Sequence, residues 1–215
     1  MCHNPEPPPD WQYFDERDEV TAEYERERAT LIVEQASIAG AVSRILDALG
    51  EELDREGLRD TPLRVAKFYT DFLLNYDPGN IDVTFEAVQV DQLVVVRNIS
   101  GFSLCEHHLL PFSFTAHVGY VTGERVIGLS KIPRIVQRHA HKLQLQERLT
   151  NDIAAELQEL TQARGVGVII SGVHTCSVMR GIKAAGSEMV TSCMQGVLLA
   201  NPHAKTEFLK LAGVV

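Results

Sequence analysis

Phe112-Ser113-Phe114-Thr115-Ala116-His117-Val118 alternates apolar and polar side chains, and the pattern runs on to Thr122. A period of two marks a half-buried strand. Upstream, the β-branched run Asp91–Ile99, with Leu93-Val94-Val95-Val96 inside it, reads as another strand. Downstream, Ser130 predicts a capped helix through about His139. A longer helix follows over Gln144–Ala163, with Leu149, Ile153, Leu157 and Leu160 along one side. Gly165–Met179 and Glu188–Leu199 read as two more strands, and Asn201–Leu211 as a closing helix. The order is strand, strand, helix, helix, strand, strand. Blocks of this kind predict an α+β fold with a four-stranded antiparallel sheet and helices on one face. Such a sheet has exposed edges, which proteins hide by closing barrels or pairing subunits. A homo-oligomer is therefore expected.

Ahead of this unit the apolar spacing turns helical. Ile32, Val33, Ala36, Ile38, Ala41, Ile45, Leu46 and Leu49 predict a helix over Ala29–Leu49, stopped at Gly50. Asp60-Thr61-Pro62 predicts a second helix start, running to about Asn75. Three parts result: a tail over 1–28, a helical region over 29–80 and the α+β unit over 81–215. The tail is rich in proline and acid. It carries nine acids against three bases, so −6 of the net charge of −9 lies there. Low hydrophobicity with high charge predicts a solvated, disordered segment. This balance argues against nucleic-acid binding, while leaving room for a small anion met by local cations. No run approaches about 18 apolar residues, so no membrane span is expected. The proline-rich start has no apolar core of a secretory signal. Four cysteines in 215 residues do not make a disulfide scaffold, which points to the cytoplasm.

The chemistry gathers in two short motifs. Cys105-Glu106-His107-His108 places a thiol and an imidazole three residues apart, just before Pro111. His174-Thr175-Cys176 lies near a strand end, where alternation would turn His174, Cys176, Val178 and Arg180 the same way. Cys105, His108 and Cys176 form a Cys₂His set. Three such ligands leave the fourth tetrahedral position of Zn²⁺ open, and soft thiolates favour zinc over magnesium or calcium. His107 and His174 then stand as acid–base groups that titrate near neutral pH. Each piece alone has a plainer reading. A lone cysteine such as Cys193 is usually a small buried hydrophobe. His139 and His141, flanked by Arg138 and Lys142, read as a solvated basic surface, and His117 as a strand residue without a role.

Taken together with Gly128-Leu129-Ser130-Lys131, Arg134-Ile135-Val136, Gln144-Leu145-Gln146-Glu147-Arg148-Leu149 and Arg180-Gly181, these motifs resemble the GTP cyclohydrolase I family. Asp60-Thr61-Pro62-Leu63-Arg64-Val65-Ala66-Lys67 fits the same pattern. The resemblance runs from about residue 40 to 212 and leaves the tail uncovered. It implies a T-fold, whose sheets assemble into a barrel, and a decamer of two pentamers with active sites at subunit interfaces. It implies conversion of GTP and water to formate and 7,8-dihydroneopterin triphosphate, the first step toward folate or tetrahydrobiopterin. Cys105, His108 and Cys176 resemble the zinc ligands of that family. His174 resembles its main acid–base residue, His107 the neighbour that assists, and Ser130 the hydroxyl on ribose. Glu147, with Gln146 beside it, resembles the group that reads the guanine edge. Arg64, Lys67, Lys131, Arg134 and Arg180 resemble the cations around the triphosphate. One departure is Thr175, where relatives often carry an aromatic or methionine; strand alternation would turn it away from the metal.

Two other readings compete. In one, the chain is a catalytically silent oligomer braced by zinc, which a missing acid–base histidine would favour; both are present. In the other, it is a related T-fold enzyme acting on a pterin or deazapurine, against which the Cys₂His set with Glu147 speaks.

Overall fold

The computed structural model describes residues 34–87 and 91–214. The acidic tail expected over 1–28 lies outside them, as do Ile32 and Val33 of the first expected helix. The chain divides into two compact units, the first ending at Asp71 and the second beginning at Phe72.

In the first unit a helix covers 34–48 (α1), and Gly50, at φ 76°, turns the chain out of it. Helix α2, Thr61–Leu73, opens at the expected Thr61-Pro62 pair. Gln35 Nε2 donates to Thr70 Oγ1 at 2.9 Å, which links the two helices through a buried threonine.

The second unit is built on a five-stranded sheet rather than four strands. Strands β2 (Leu93–Cys105), β3 (Pro111–Val121), β6 (Gly165–His174) and β7 (Met189–Gly196) pair antiparallel in that order. A two-residue strand, β5 (Leu143–Gln144), adds to the outer edge of β2 in parallel, with Cys105 opposite Gln144. A separate ribbon pairs β1 (Thr84–Glu86) with β4 (Arg125–Ile127). β2 runs further than the β-branched run suggests. β3 stays paired with it as far as Leu104 and Pro111, past an irregularity between Val96 and Ile99 where Asn98 takes φ 61°.

Helices α3 (Lys131–Ala140) and α4 (Gln146–Thr161) cover one face. α3 turns Ile132, Ile135, Val136 and Ala140 inward, and α4 turns Leu149, Ile153 and Leu157. They meet Phe112, Phe114, Ala116, Val118, Val166, Val168 and Ile170 in one continuous core. The opposite face is not bare, contrary to expectation. Ile169 of β6 joins Val121 with Leu198, from the short α6 (Val197–Ala200), and Phe208 and Ala212, from α7 (Pro202–Ala212), in a second, smaller core. Gly119 and Gly167 make room for it, since a Cβ on either would come within 2.8 Å of the Phe208 ring. Asn201 caps α7 by accepting from the backbone N–H of His203 and Ala204.

Two further expectations change. Ser130 stands at the N-cap of α3, but its side chain makes no capping hydrogen bond. The strand expected over Gly165–Met179 ends at His174, and Thr175–Val178 forms one helical turn (α5). His174 is the last residue that β3 pairs, opposite Phe112; the next position on β3, Pro111, has no N–H to offer. Thr175 Oγ1 instead donates to the Pro111 carbonyl at 2.5 Å.

Candidate metal and acid–base site

Cys105 is buried at the end of β2, and the chain folds back on it at once. Its N–H donates to the Leu110 carbonyl at 2.8 Å. Its own carbonyl accepts from the N–H of His108 (3.2 Å) and of Leu109 (2.8 Å), with Leu109 at φ 56°. This turn brings both imidazoles back to the thiol. Cys105 Sγ lies 3.8 Å from His108 Nδ1 and 4.0 Å from His107 Nδ1. The three ligand atoms all lie within 4.8 Å of one another.

Cys176 comes beside Cys105 from α5, not by strand alternation, and stands outside the three ligand atoms that lie within 4.8 Å of one another. Burial pushes its thiol pKa up, and the neighbouring Cys105 thiol pushes it further, while the Arg180 cation pulls it down. A thiol that resists losing its proton, with a second thiol beside it, is a site that a cation would relieve, because metal binding displaces the proton. The spacing fits a tetrahedral zinc. Bonds of about 2.3 Å to sulfur and 2.0–2.1 Å to nitrogen place two ligand atoms roughly 3.6 Å apart, close to the 3.8 Å seen between Cys105 and His108.

His174 ends β6 with its ring stacked on Phe112, centroids 4.3 Å apart and planes 10° from parallel. Burial lowers its pKa from the ordinary imidazole value, with the Glu147 carboxylate pulling the other way. Its Nε2 sits 2.9 Å from Oε1 of Gln146. Gln146 is itself buried, whereas Glu147, the next residue in the first turn of α4, is exposed. A cavity of about 290 Å³ opens here, lined by Gly172, His174, Cys176, Ser177, Glu188 and Met189 among others.

Strand β5 explains why α4 starts at this point. Pairing of Leu143 and Gln144 with Leu104 and Cys105 delivers Gln146 and Glu147 beside the Cys105 turn. A polar brace reinforces it: Gln144 Oε1 accepts from Arg148 Nε at 2.7 Å, and Arg148 pairs with Glu106. The sequence reading missed Gln144, Arg148 and Glu106 in this role. A two-residue strand has no periodicity to detect.

The expected phosphate cations fall in separate places. Lys131 Nζ donates to the Asn80 carbonyl at 2.5 Å, and Arg134 to the Pro78 carbonyl at 2.9 Å. Carbonyl partners orient these cations without cancelling their charge. Arg180 follows α5 and is exposed, as is Ser130. Arg64 and Lys67 belong to the first unit, where they pair with Asp60 (3.7 Å) and Asp71 (2.7 Å).

The basic surface read at Arg138–Lys142 is instead a structured one. Arg138 and His139 both reach Glu156, and Lys142 pairs with Asp152 at 3.0 Å. His141 is sandwiched by Tyr76 (3.7 Å) and Phe72 (4.5 Å). His117 keeps a buried Nδ1 with no hydrogen-bond partner among the described residues.

Comparison with known proteins points the same way. A family model described as GTP cyclohydrolase I matches residues 38–213. A protein named GTP cyclohydrolase 1 from Alkalilimnicola ehrlichii is 48% identical over 177 residues, 81% of this chain and 96% of that one. Its namesake from Saccharomyces cerevisiae is 43% identical over 203 residues, 92% of this chain and 80% of that one. The one from Rattus norvegicus is 44% identical over 178 residues, 81% of this chain and 74% of that one. A buried thiol, two imidazoles folded back on it and a second thiol beside it thus occur in a sequence that matches one enzyme family over residues 38–213; the chain belongs to the GTP cyclohydrolase I family.

Proposed function

We propose that the protein is a zinc-dependent GTP cyclohydrolase I, converting GTP and water to formate and 7,8-dihydroneopterin triphosphate. The carrying observation is the convergence of Cys105, His107 and His108 within 4.8 Å, with Cys176 next to Cys105 and His174 on the adjoining strand end. Cys105, His108 and Cys176 would hold Zn²⁺, and their donor chemistry suits it. Bound zinc supplies Lewis-acid polarisation at the reacting centre.

The chain's own residues do the rest. The triphosphate carries about four negative charges, so binding needs several cations arranged to replace its water. Lys131, Arg134 and Arg180 fill that role, joined by Arg64 and Lys67. Glu147 accepts from the N1 and N2 donors of guanine, and Ser130 holds ribose. Water adds at C8 of the imidazole ring. His174, kept neutral by burial, takes the proton released and delivers it to N7, so that the C8–N bonds can break. His107 assists proton movement around the ring and ribose. The first bond cleaved leaves a formamide, which a second water hydrolyses to release formate; the freed amine then condenses with the rearranged ribose to close a new ring and returns one water, so one water is consumed net. The product opens a pterin pathway, toward folate or tetrahydrobiopterin, in the cytoplasm. The working form is a homo-oligomer, taken as a decamer of two pentamers, because the β7 edge and the cation groups call for neighbouring copies.

Purified protein given GTP should release formate and a product that fluoresces after oxidation and dephosphorylation. Cys176→Ser should lose bound zinc and that activity together. A wild-type protein that holds zinc and binds GTP but yields no formate would sink this reading.

A further inference from the structure

Gln146 is only 1% exposed, and both ends of its amide are committed. Nε2 reaches the carbonyl oxygens of Ile170 (3.0 Å) and Met189 (2.8 Å) and the hydroxyl of Thr191 (3.2 Å). Carbonyl oxygens can only accept, so the nitrogen must face them and the amide cannot be turned over. The hydroxyls agree. Thr150 Oγ1 donates to the Gln146 carbonyl at 2.7 Å, which leaves Thr191 to donate to Thr150 and to accept from the amide. Oε1 therefore points the opposite way, at His174 Nε2. Gly172 makes the space, because a Cβ there would fall on that same oxygen.

We propose that Gln146 is a positioning residue that holds His174 as the Nε2–H tautomer, leaving Nδ1 as the nitrogen that takes up and returns the proton. An amide oxygen accepts and never donates, so the imidazole nitrogen facing it must carry hydrogen. A neutral imidazole has two tautomers, and the wrong one presents an N–H where a lone pair is needed. Phe112 fixes the plane of the ring by stacking, and Gln146 fixes which edge is protonated. Gln146 then serves the guanine only through His174, not by touching it. This rests on His174 being the proton-transfer group of the proposed reaction.

The test uses the full-length, zinc-loaded protein labelled with ¹⁵N-histidine, with His174 assigned by comparison with His174→Gln. The wild-type spectrum should show a protonated Nε2 and a bare Nδ1. A protonated Nδ1 overturns the proposal, whether or not product forms. Gln146→Leu should lose the tautomer preference. Its kcat should fall at least about tenfold, part of the ~10²–10⁴ that positioned acid–base groups contribute, with KM for GTP and zinc content little changed. A raised KM with unchanged kcat would mean that the amide reads guanine directly, which also overturns it. If Gln146→Leu does not fold, the wild-type spectrum decides alone. Failure of the wild type to release formate overturns the enzyme reading instead, and leaves the tautomer to be judged on that spectrum.

Discussion

In the proposed reaction His174 acts as a base only while it is neutral, and its surroundings favour that form. Burial lowers its pKa, and the Glu147 carboxylate recovers part of the shift. The sign follows directly. A depressed pKa keeps the imidazole unprotonated at neutral pH, and protonation sets in only below the ordinary value of about 6.5. Activity should therefore hold through neutral pH and fall as pH drops through that lowered pKa. A profile of kcat against pH checks this; an acid limb centred above about 6.5 would contradict it. Thr175 opens a helical turn rather than continuing a strand. Its hydroxyl is held by the Pro111 carbonyl, so it anchors the turn that presents Cys176.

Helices α3 and α4 are joined by more than their apolar faces. Glu156 on α4 is nearly buried and takes Arg138 and His139 from α3. Burial raises its pKa, but the hydrogen bonds and charges of His139 and Arg138 outweigh that and hold it below the usual value. A depressed carboxylate stabilises the fold above its unfolded pKa, and that contribution is lost as pH falls through the folded one. Glu156→Gln should cost about 1–2 kcal/mol at pH 7, kept small because Arg138 remains partly solvated. The deficit should shrink at an acid pH below the lowered folded pKa, where the wild-type carboxyl is protonated too. Urea unfolding at the two pH values measures it.

At the scale of the whole molecule, charge and edges matter most. Most of the net negative charge sits in residues 1–28, outside the family match that begins at residue 38. Deleting 1–28 should leave assembly and kinetics unchanged, as measured by light scattering and formate release. Light scattering should also give a mass several times the 23.9 kDa of one chain, since β7 ends the sheet with an edge that no described strand of the same chain covers. Among the described residues, no helix is long and apolar enough to cross a membrane.

What the amino-acid sequence determined by itself is what periodicity and short motifs encode. The β3 alternation, the apolar stripe of α4 and the turn Cys105-Glu106-His107-His108 are local, since each depends on neighbours within a few residues. Only the tertiary structure decided what depends on distant partners. β6 stops at His174 because Pro111, far back in the chain, cannot extend the pairing. β5 exists because Cys105 lies beside Gln144. The second core exists because two glycines on different strands leave a hollow for Phe208. Gln146 meets His174 across 28 residues of chain, and a side chain's hydrogen-bond partner at that separation is set by packing, which no local pattern records.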